Sequence, residues 1–168
     1  MKQLNHKNYL QMNITAKDVN ELRKKTGAGM MDCKKALVES KGDIESAIDF
    51  LRKKGQKIAA KRGDREAKEG LVIAKSSGNS GYIVCLNCET DFVAKNNDFG
   101  NLANSLVDLA IDTNSSNIED FMETNYPGSD ISVSAKITEQ SGVIGEKIEI
   151  SAFEKIKAEK VVAYNHPG

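Results

Sequence analysis

The pattern of apolar residues changes near residue 70, and this change constrains the fold more than any other feature. Before it, apolar residues recur at helical spacing and glycines interrupt them, which is typical of short amphipathic helices. After it, two nearly continuous apolar runs, residues 71–74 and 82–86, flank a segment rich in Ser, Asn and Gly. That arrangement indicates a β-hairpin. We therefore expect a helical part followed by a part built on a sheet.

Three short helices are predicted for the first part. A glycine is placed to end each helix, because glycine readily adopts the left-handed backbone found after helix C-termini. These glycines are Gly27, Gly42 and Gly55. With their apolar faces turned inward, the helices would form a three-helix bundle over residues 12–55. A domain of this size is near the lower limit for independent folding.

The first joint of this bundle, Gly-Ala-Gly-Met-Met, and the bundle's shape resemble ubiquitin-associated domains. Those domains grip a partner through an apolar loop between their first two helices, whereas methionines at such a joint could also simply fill the core. We expect one of Met30 and Met31 to be buried and the other to be partly exposed, because a flexible thioether adapts to irregular surfaces.

The second part is predicted to be an α+β core domain over residues 71–168. Five apolar residues repeat at the three- and four-residue intervals of a buried helix face: Phe99, Leu102, Ala103, Leu106 and Ala110. Further helices are expected near Phe121 and Val133, and further strands at 148–150 and 160–164. We expect an antiparallel sheet of about four strands with helices packed on one face.

Two other segments complete the predicted domain organisation. Residues 1–11 are polar and lack the apolar stretch of a signal peptide, so we interpret them as a disordered extension or a remnant of cloning. Residues 56–70 are charged and mostly basic, and we predict a linker with some helix. Because the chain ends directly after a predicted strand, we expect it to be the N-terminal portion of a longer protein, truncated at a sheet edge.

Composition argues against several classes of function. Lys plus Arg and Asp plus Glu both number 24, and a net charge of zero gives no reason to expect binding to nucleic acid or to an anionic membrane. No apolar run is long enough to span a bilayer. The three cysteines form no disulfide framework, which favours a reducing compartment, and we expect a cytoplasmic protein.

No catalytic or cofactor site is indicated. The two histidines, His6 and His166, lie near the termini, where no nucleophile can be paired with them. Cys85 and Cys88 have C-x-x-C spacing, but Cys85 lies within a predicted strand and Cys88 at its end, not at a helix N-terminus. A zinc site would need two further ligands. We expect structural cysteines, with a redox or zinc protein as a remote alternative. No phosphate-binding loop motif occurs, so we expect no enzyme, cofactor, metal or direct nucleotide binding.

An acid and a large ring stand side by side in the central stretch, residues 88–97, which we expect to be a loop. A core aromatic is unusual in a loop. Phe92 could fold back to close a small core, which the residues alone favour, or it could project into a partner. In the second case the ring would enter an apolar slot, and the Asp91 carboxylate would meet a cation or a helix N-terminus.

Three segments resemble the translation elongation factor Ts family. Residues 22–37 contain Thr-Gly-Ala-Gly-Met-Met, residues 87–95 contain Glu-Thr-Asp-Phe-Val, and residues 145–148 read Gly-Glu-Lys-Ile. The resemblance runs from about Met12 to the last residue. It implies a guanine-nucleotide exchange factor for elongation factor Tu, the GTPase that delivers aminoacyl-tRNA, and this activity requires no covalent step.

The resemblance also assigns contact residues. Asp91 and Phe92 would wedge into the GTPase near its magnesium site, with Thr90 and Val93 beside them. The other expected partner-binding residues are Arg23, Lys34, Met30, Met31, Ile144, Gly145 and His166. The alternative function is a ubiquitin-associated-like adaptor that binds a protein partner through the bundle alone.

Overall fold

The structure, a computed structural model, describes residues 14–166. This part of the chain divides after Lys53 into two compact units. The predicted extension, residues 1–11, lies outside the described residues. The predicted domain limits stay predictions, because compactness describes packing and not independent folding.

The first unit contains α1 (Ala16–Thr26), α2 (Met30–Glu39) and the first part of α3 (Ile44–Arg62). α1 begins with a capping box, in which the Thr15 hydroxyl and the Asp18 carboxylate each accept a hydrogen bond from the other residue's backbone N–H. One apolar face of each helix lines the core. Its fully buried members are Leu22, Cys33, Ala36, Leu37 and Ala47.

Both methionines of the first joint lie on the surface. Met30 is 57% exposed and Met31 is 74% exposed, so the prediction that one of them is buried is wrong. Ala28 in the joint and Cys33 in the next turn are buried and close this end of the core. Two long side chains therefore remain outside, in the first turn of α2.

The second unit combines a three-stranded antiparallel sheet with several helices, which confirms the α+β prediction. The strands are β1 (Glu69–Ser77), β2 (Ser80–Cys88) and β3 (Glu149–Lys157), in the spatial order β1-β2-β3. The helices that begin in this unit are α4 (Asp91–Ala94), α5 (Asn97–Thr113), α6 (Ile118–Glu123) and α7 (Val133–Ile144). The predicted hairpin is present, since β1 and β2 pair from Glu69 with Cys88 to Ser77 with Ser80.

The core of this unit lies between the helices and one face of the sheet. Alternate residues of β2 are buried there: Tyr82, Val84, Leu86 and Cys88. The five residues predicted as the buried face of α5 are all buried, as expected. Phe121 of α6 stacks on Phe153 of β3 with ring centroids 4.9 Å apart. Burial on one face alone gives β2 the alternating pattern of a half-covered strand.

The predicted strand at residues 160–164 is absent: the described chain has three strands, not about four, and this segment forms no ladder. Its neighbour Asn165 instead occupies the edge of β1 with its side chain. The Asn165 amide accepts a hydrogen bond from Ala74 N–H at 2.7 Å and donates one to Ala74 C=O at 2.8 Å. An amide side chain carries both a donor and an acceptor, so it can hydrogen-bond the backbone N–H and C=O of an edge residue in place of a paired strand.

The prediction that Gly55 ends a helix is also wrong, because α3 continues to Arg62. Gly55 is buried where α3 meets α7. A Cβ atom placed on Gly142 would lie only 2.2 Å from the Cα of Gly55. These two glycines allow the helix backbones to approach closely, so Gly55 serves packing rather than termination. Among residues 14–166, no helix combines the length and apolar character needed to cross a bilayer.

Candidate partner-binding site

The tip (residues 89–94) follows the end of β2 and contains α4, a helix of four residues. The prediction of a simple loop is therefore wrong at this point. Phe92 lies in α4 and is 83% exposed. Of the two interpretations of this ring, the one that folds it back into the core is wrong. The ring projects from the surface.

The residues after Phe92 explain why it points outward. Val93 and Ala94 are partly buried and pack against the core of the second unit. Because consecutive residues of a helix point in directions about 100° apart, turning Val93 inward leaves Phe92 outside. The packing of its neighbours therefore sets the side of the tip from which the ring projects.

Asp91 forms an ion pair with Lys95, the residue that follows the tip. Its carboxylate accepts a hydrogen bond from Lys95 Nζ at 2.7 Å, one helical turn further on. This hydrogen bond and the charge of Lys95 hold the pKa of Asp91 below its ordinary value and raise the pKa of Lys95. The Asp91 side chain is nevertheless 47% exposed, so the carboxylate is accessible from solvent.

Glu146 ties the start of the tip to the end of α7. One of its carboxylate oxygens accepts hydrogen bonds from the backbone N–H groups of Glu89 and Thr90, both at 3.1 Å. The other accepts one from the Thr90 hydroxyl at 2.7 Å. Thr90 is the N-cap residue of α4, but its side chain makes no capping hydrogen bond; its hydroxyl donates to Glu146.

Glu89 makes the reciprocal connection. Its carboxylate accepts a hydrogen bond from Lys147 N–H at 2.6 Å and two from Arg62 at 2.8 Å. Burial raises the pKa of Glu89, since the side chain is 13% exposed, but the hydrogen bonds from Lys147 and Arg62 outweigh this effect and hold it below its ordinary value. We call Glu89 and Glu146, with the groups that donate to them, the brace.

The two cysteines beside the tip are free thiols on a strand. Cys88 is buried, and its burial raises the pKa of the thiol to about 11, which leaves it protonated at neutral pH. Cys85 is half-buried and donates a hydrogen bond to the Asn87 side chain at 3.2 Å. In the part of the chain that is described, no group of three or more His, Cys, Asp or Glu side chains is placed to hold a metal ion.

Two further residues with predicted contacts lie next to the tip. Ile144 is the last residue of α7 and Gly145 ends that helix with a φ of 83°, directly before Glu146 of the brace. The brace thus brings residues 144–146 and the tip together.

His166 is not brought to the tip. It is exposed, and its Nδ1 lies 3.0 Å from the Tyr164 hydroxyl. Its neighbour Asn165 is bound at Ala74, which is roughly 16 Å along β1 from the end of the sheet that carries the tip.

The other candidate residues belong to the first unit. Arg23 lies in the last turn of α1, and Lys34 lies in α2. Both are exposed, as are Met30 and Met31. All four are therefore accessible to a partner.

Comparison with known proteins gives one consistent result. The family described as Elongation factor TS matches residues 89–168. Elongation factor Ts of Christiangramia forsetii is 58% identical over 157 residues, which cover 92% of this chain and 56% of the relative. The relatives of the same name from Flavobacterium johnsoniae and Rhodopirellula baltica are 54% and 50% identical over 155 residues, with 47% of each relative covered.

The chain is similar to the elongation factor Ts family over most of its length. It spans about half the length of the curated relatives that it matches. The match to the family begins at Glu89 and so includes the tip, Glu146 and His166. The resemblance found in the three short segments is thus confirmed over most of the chain.

Sequence reasoning missed the brace. Arg62 was counted as part of a charged linker, although it ends α3 and binds Glu89. Glu89 and Glu146 each lie in a segment that resembles the elongation factor Ts family, and this was the only available signal. Their pairing brings together residues 57 positions apart in the chain, and no local pattern predicts such a contact.

Proposed function

We propose that the chain acts as a guanine-nucleotide exchange factor for elongation factor Tu and promotes GDP release during translation elongation. Similarity to the elongation factor Ts family supports this activity. The observation that carries the proposal is the ring of Phe92, which is 83% exposed on a braced turn. A large apolar ring held in the solvent is suited to insertion into a partner.

Insertion of the ring contributes to the binding free energy. Full burial of a Phe side chain contributes roughly 1.5–3 kcal/mol, and nearly all of that gain is still available to an exposed ring. Asp91 and Phe92 would enter the GTPase near its magnesium site. Mg²⁺ requires near-octahedral geometry, so a small shift of the elements that hold its ligands weakens several contacts of GDP together.

Exchange then follows from linkage. If the factor weakens nucleotide binding to the GTPase, bound nucleotide weakens the binding of the factor by the same ratio. GTP binding therefore expels the factor and completes the cycle. This scheme needs no nucleotide, nucleic-acid or membrane site on the chain itself.

Asp91 would accompany Phe92 into the interface. In the free chain its carboxylate is paired with Lys95, at 2.7 Å, on the surface. Exposed pairs of this kind are screened by solvent and contribute little to stability, so the carboxylate can leave Lys95 at little cost. It would then accept hydrogen bonds from a cation or from a helix N-terminus of the GTPase.

Further contacts would come from residues that the family resemblance assigns. Arg23, Lys34, Met30 and Met31 of the first unit would contact the same GTPase. Near Phe92, the interface would be shaped or lined by Thr90, Val93, Ile144 and Gly145. His166 would reach toward the phosphate-binding loop of the partner.

Stopped-flow release of a fluorescent GDP from elongation factor Tu tests the proposal. The chain should accelerate release, and Phe92→Ala should remove most of the acceleration. Val72→Ala is a suitable control, because Val72 is an apolar residue on β1 that is 60% exposed and has no assigned contact; this variant should behave like the wild type. The proposal fails if the wild-type chain neither accelerates release nor binds the nucleotide-free GTPase.

A further inference from the structure

The direction of Phe92 must be fixed by something other than its own contacts. The ring is 83% exposed, and α4 has only four residues. A helix of one turn is unstable by itself, because the unfavourable nucleation step is not offset by propagation. A capping side chain at the N-cap often stabilises the start of a helix, but the Thr90 side chain makes no such hydrogen bond. The orientation of the ring therefore depends on the packing of Val93 and on how the residues before α4 are held.

Glu146 holds those residues from outside the tip. Both of its carboxylate oxygens are used, and they accept three hydrogen bonds from Glu89 and Thr90. Hydrogen bonds to an ionised acceptor are shorter and stronger than neutral ones. Gly145 immediately precedes Glu146, and its left-handed backbone, φ 83°, turns the chain away from the axis of α7 at this point. The carboxylate is thereby brought to the start of the tip.

The support behind Glu146 is closely packed. α7 approaches α3 so closely that a Cβ atom added to Gly142 would collide with the backbone of Gly55. Glu89 completes a second connection, from the tip to Lys147 N–H and to Arg62 at the end of α3. The tip is thus tied to α7 and to the part of α3 that lies in the second unit, and each tie runs through a carboxylate.

We propose that Glu146 is a positioning residue for nucleotide exchange: it holds the backbone at Glu89 and Thr90 so that Phe92 projects in the orientation required for insertion. This inference rests on the proposed exchange function. Glu146 acts through Phe92 and needs no contact of its own with the GTPase. Replacement of Glu146 leaves the Phe92 side chain present but lets α4 fray and reorient.

Amide hydrogen exchange of the free chain tests the structural half, without any GTPase. The N–H groups of Glu89 and Thr90 donate to Glu146, so Glu146→Ala should accelerate their exchange. Glu119→Ala is the matched control, because Glu119 is an exposed acid in the first turn of α6; it should leave both amides unchanged. Unchanged protection in Glu146→Ala would overturn the positioning role, whatever the release assay shows.

A double-mutant cycle tests the functional half. We expect Glu146→Ala to reduce the acceleration of GDP release about tenfold in the wild-type background, since small misplacements of a reacting group are costly. In the Phe92→Ala background the same change should matter by about twofold or less, because there is no ring left to position. Equal losses in both backgrounds would show a direct contact or a general defect and would overturn the proposal.

Glu146→Gln separates positioning from charge. The Gln oxygen can accept from both backbone N–H groups, and its NH₂ can donate to the Thr90 hydroxyl. This variant should therefore recover most of the activity lost in Glu146→Ala, and failure to recover it would count against positioning. If the wild-type chain fails to accelerate release while hydrogen exchange shows an intact brace, the exchange function is wrong and the structural role of Glu146 stands.

Discussion

Two regions of the molecule present exposed apolar side chains at the start of a helix, and they are built differently. The tip presents Phe92, which is 83% exposed, and the first joint of the bundle (residues 27–31) presents Met30 and Met31, at 57% and 74%. Each follows a short non-helical segment. At the tip, that segment is tied down by the brace. At the joint, the N-cap residue of α2 is Gly29, which makes no side-chain hydrogen bond to the helix.

The difference indicates two kinds of contact. A Phe side chain has few rotatable bonds, and on a fixed backbone it can enter only a slot of matching shape. Met has an unbranched and polarisable side chain that adapts to irregular surfaces. We therefore expect the tip to act by insertion at one defined place, and the joint to add affinity through an adaptable contact.

The largest expected effect is a loss of exchange activity at Phe92, in contrast to a loss of stability at its neighbour Val93. Phe92→Ala should reduce the acceleration of GDP release about 30-fold, which corresponds to the 2 kcal/mol typical of a dominant interface residue. Its stability should change by less than about 0.5 kcal/mol, because the ring is exposed. Val93→Ala removes packing from the core and should lower the free energy of unfolding by roughly 1 kcal/mol. Urea denaturation and stopped-flow release measure both quantities; a large loss of stability in Phe92→Ala would contradict the distinction.

The next effect tests the rigidity behind the tip. In Gly142→Ala the new Cβ would lie 2.2 Å from the Cα of Gly55, so the helices must move apart. Overpacking of this kind costs about 1–3 kcal/mol.

The reciprocal variant is the control. A Cβ on Gly55 would meet its nearest atoms at 3.5 Å, which is ordinary contact. Alanine is also preferred over glycine inside a helix by roughly 0.5–1 kcal/mol. Gly55→Ala should therefore be neutral or stabilising in urea denaturation. Equal destabilisation by both variants would show that the close approach of α3 to α7 at Gly142 does not determine the stability of this unit.

These glycines also show where sequence reasoning was sufficient and where it was not. The helices other than α4, the hairpin and the buried face of α5 were predictable, because each depends on periodicity within one segment. Gly55 was misjudged since a glycine that ends a helix and one that accommodates another helix look alike in sequence. Only the position of Gly142 distinguishes them.

The candidate site was predictable to the same extent. The adjacent acid and ring at Asp91 and Phe92 drew attention from the residues alone, and the family resemblance assigned their role. The outward direction of Phe92 depends on the packing of Val93 and on Glu146, which lies more than 50 positions away in the chain. Contacts of that range leave no local pattern, so the orientation had to come from the structure.

A smaller effect is expected at the joint. Replacing Met30 and Met31 together by Ala should weaken binding to nucleotide-free elongation factor Tu about fivefold, near 1 kcal/mol, because an adaptable rim contact contributes less than a central one. Stability should be nearly unchanged, since both side chains are exposed. Replacement of both by Leu should retain most of the affinity, as measured by titration calorimetry. A loss as large as that of Phe92→Ala would remove the distinction between the two regions.

The smallest expected effect concerns pH, which should act on the brace and not on the joint, since methionine side chains do not titrate. The pKa of Glu89 is held below its ordinary value of 4.5, so its ionised form stabilises the fold above that pH, and this contribution is lost as the pH falls through the folded-state value. Glu89→Gln should therefore melt a few degrees below the wild type at pH 7.

The difference in melting temperature should shrink between pH 4.5 and the lower folded-state pKa, because a protonated Glu89 resembles Gln. Melting temperatures of both proteins across this range provide the measurement. A difference that persists at the acid end would mean that Glu89 supports the tip through its shape and its neutral hydrogen bonds, and that its charge contributes little.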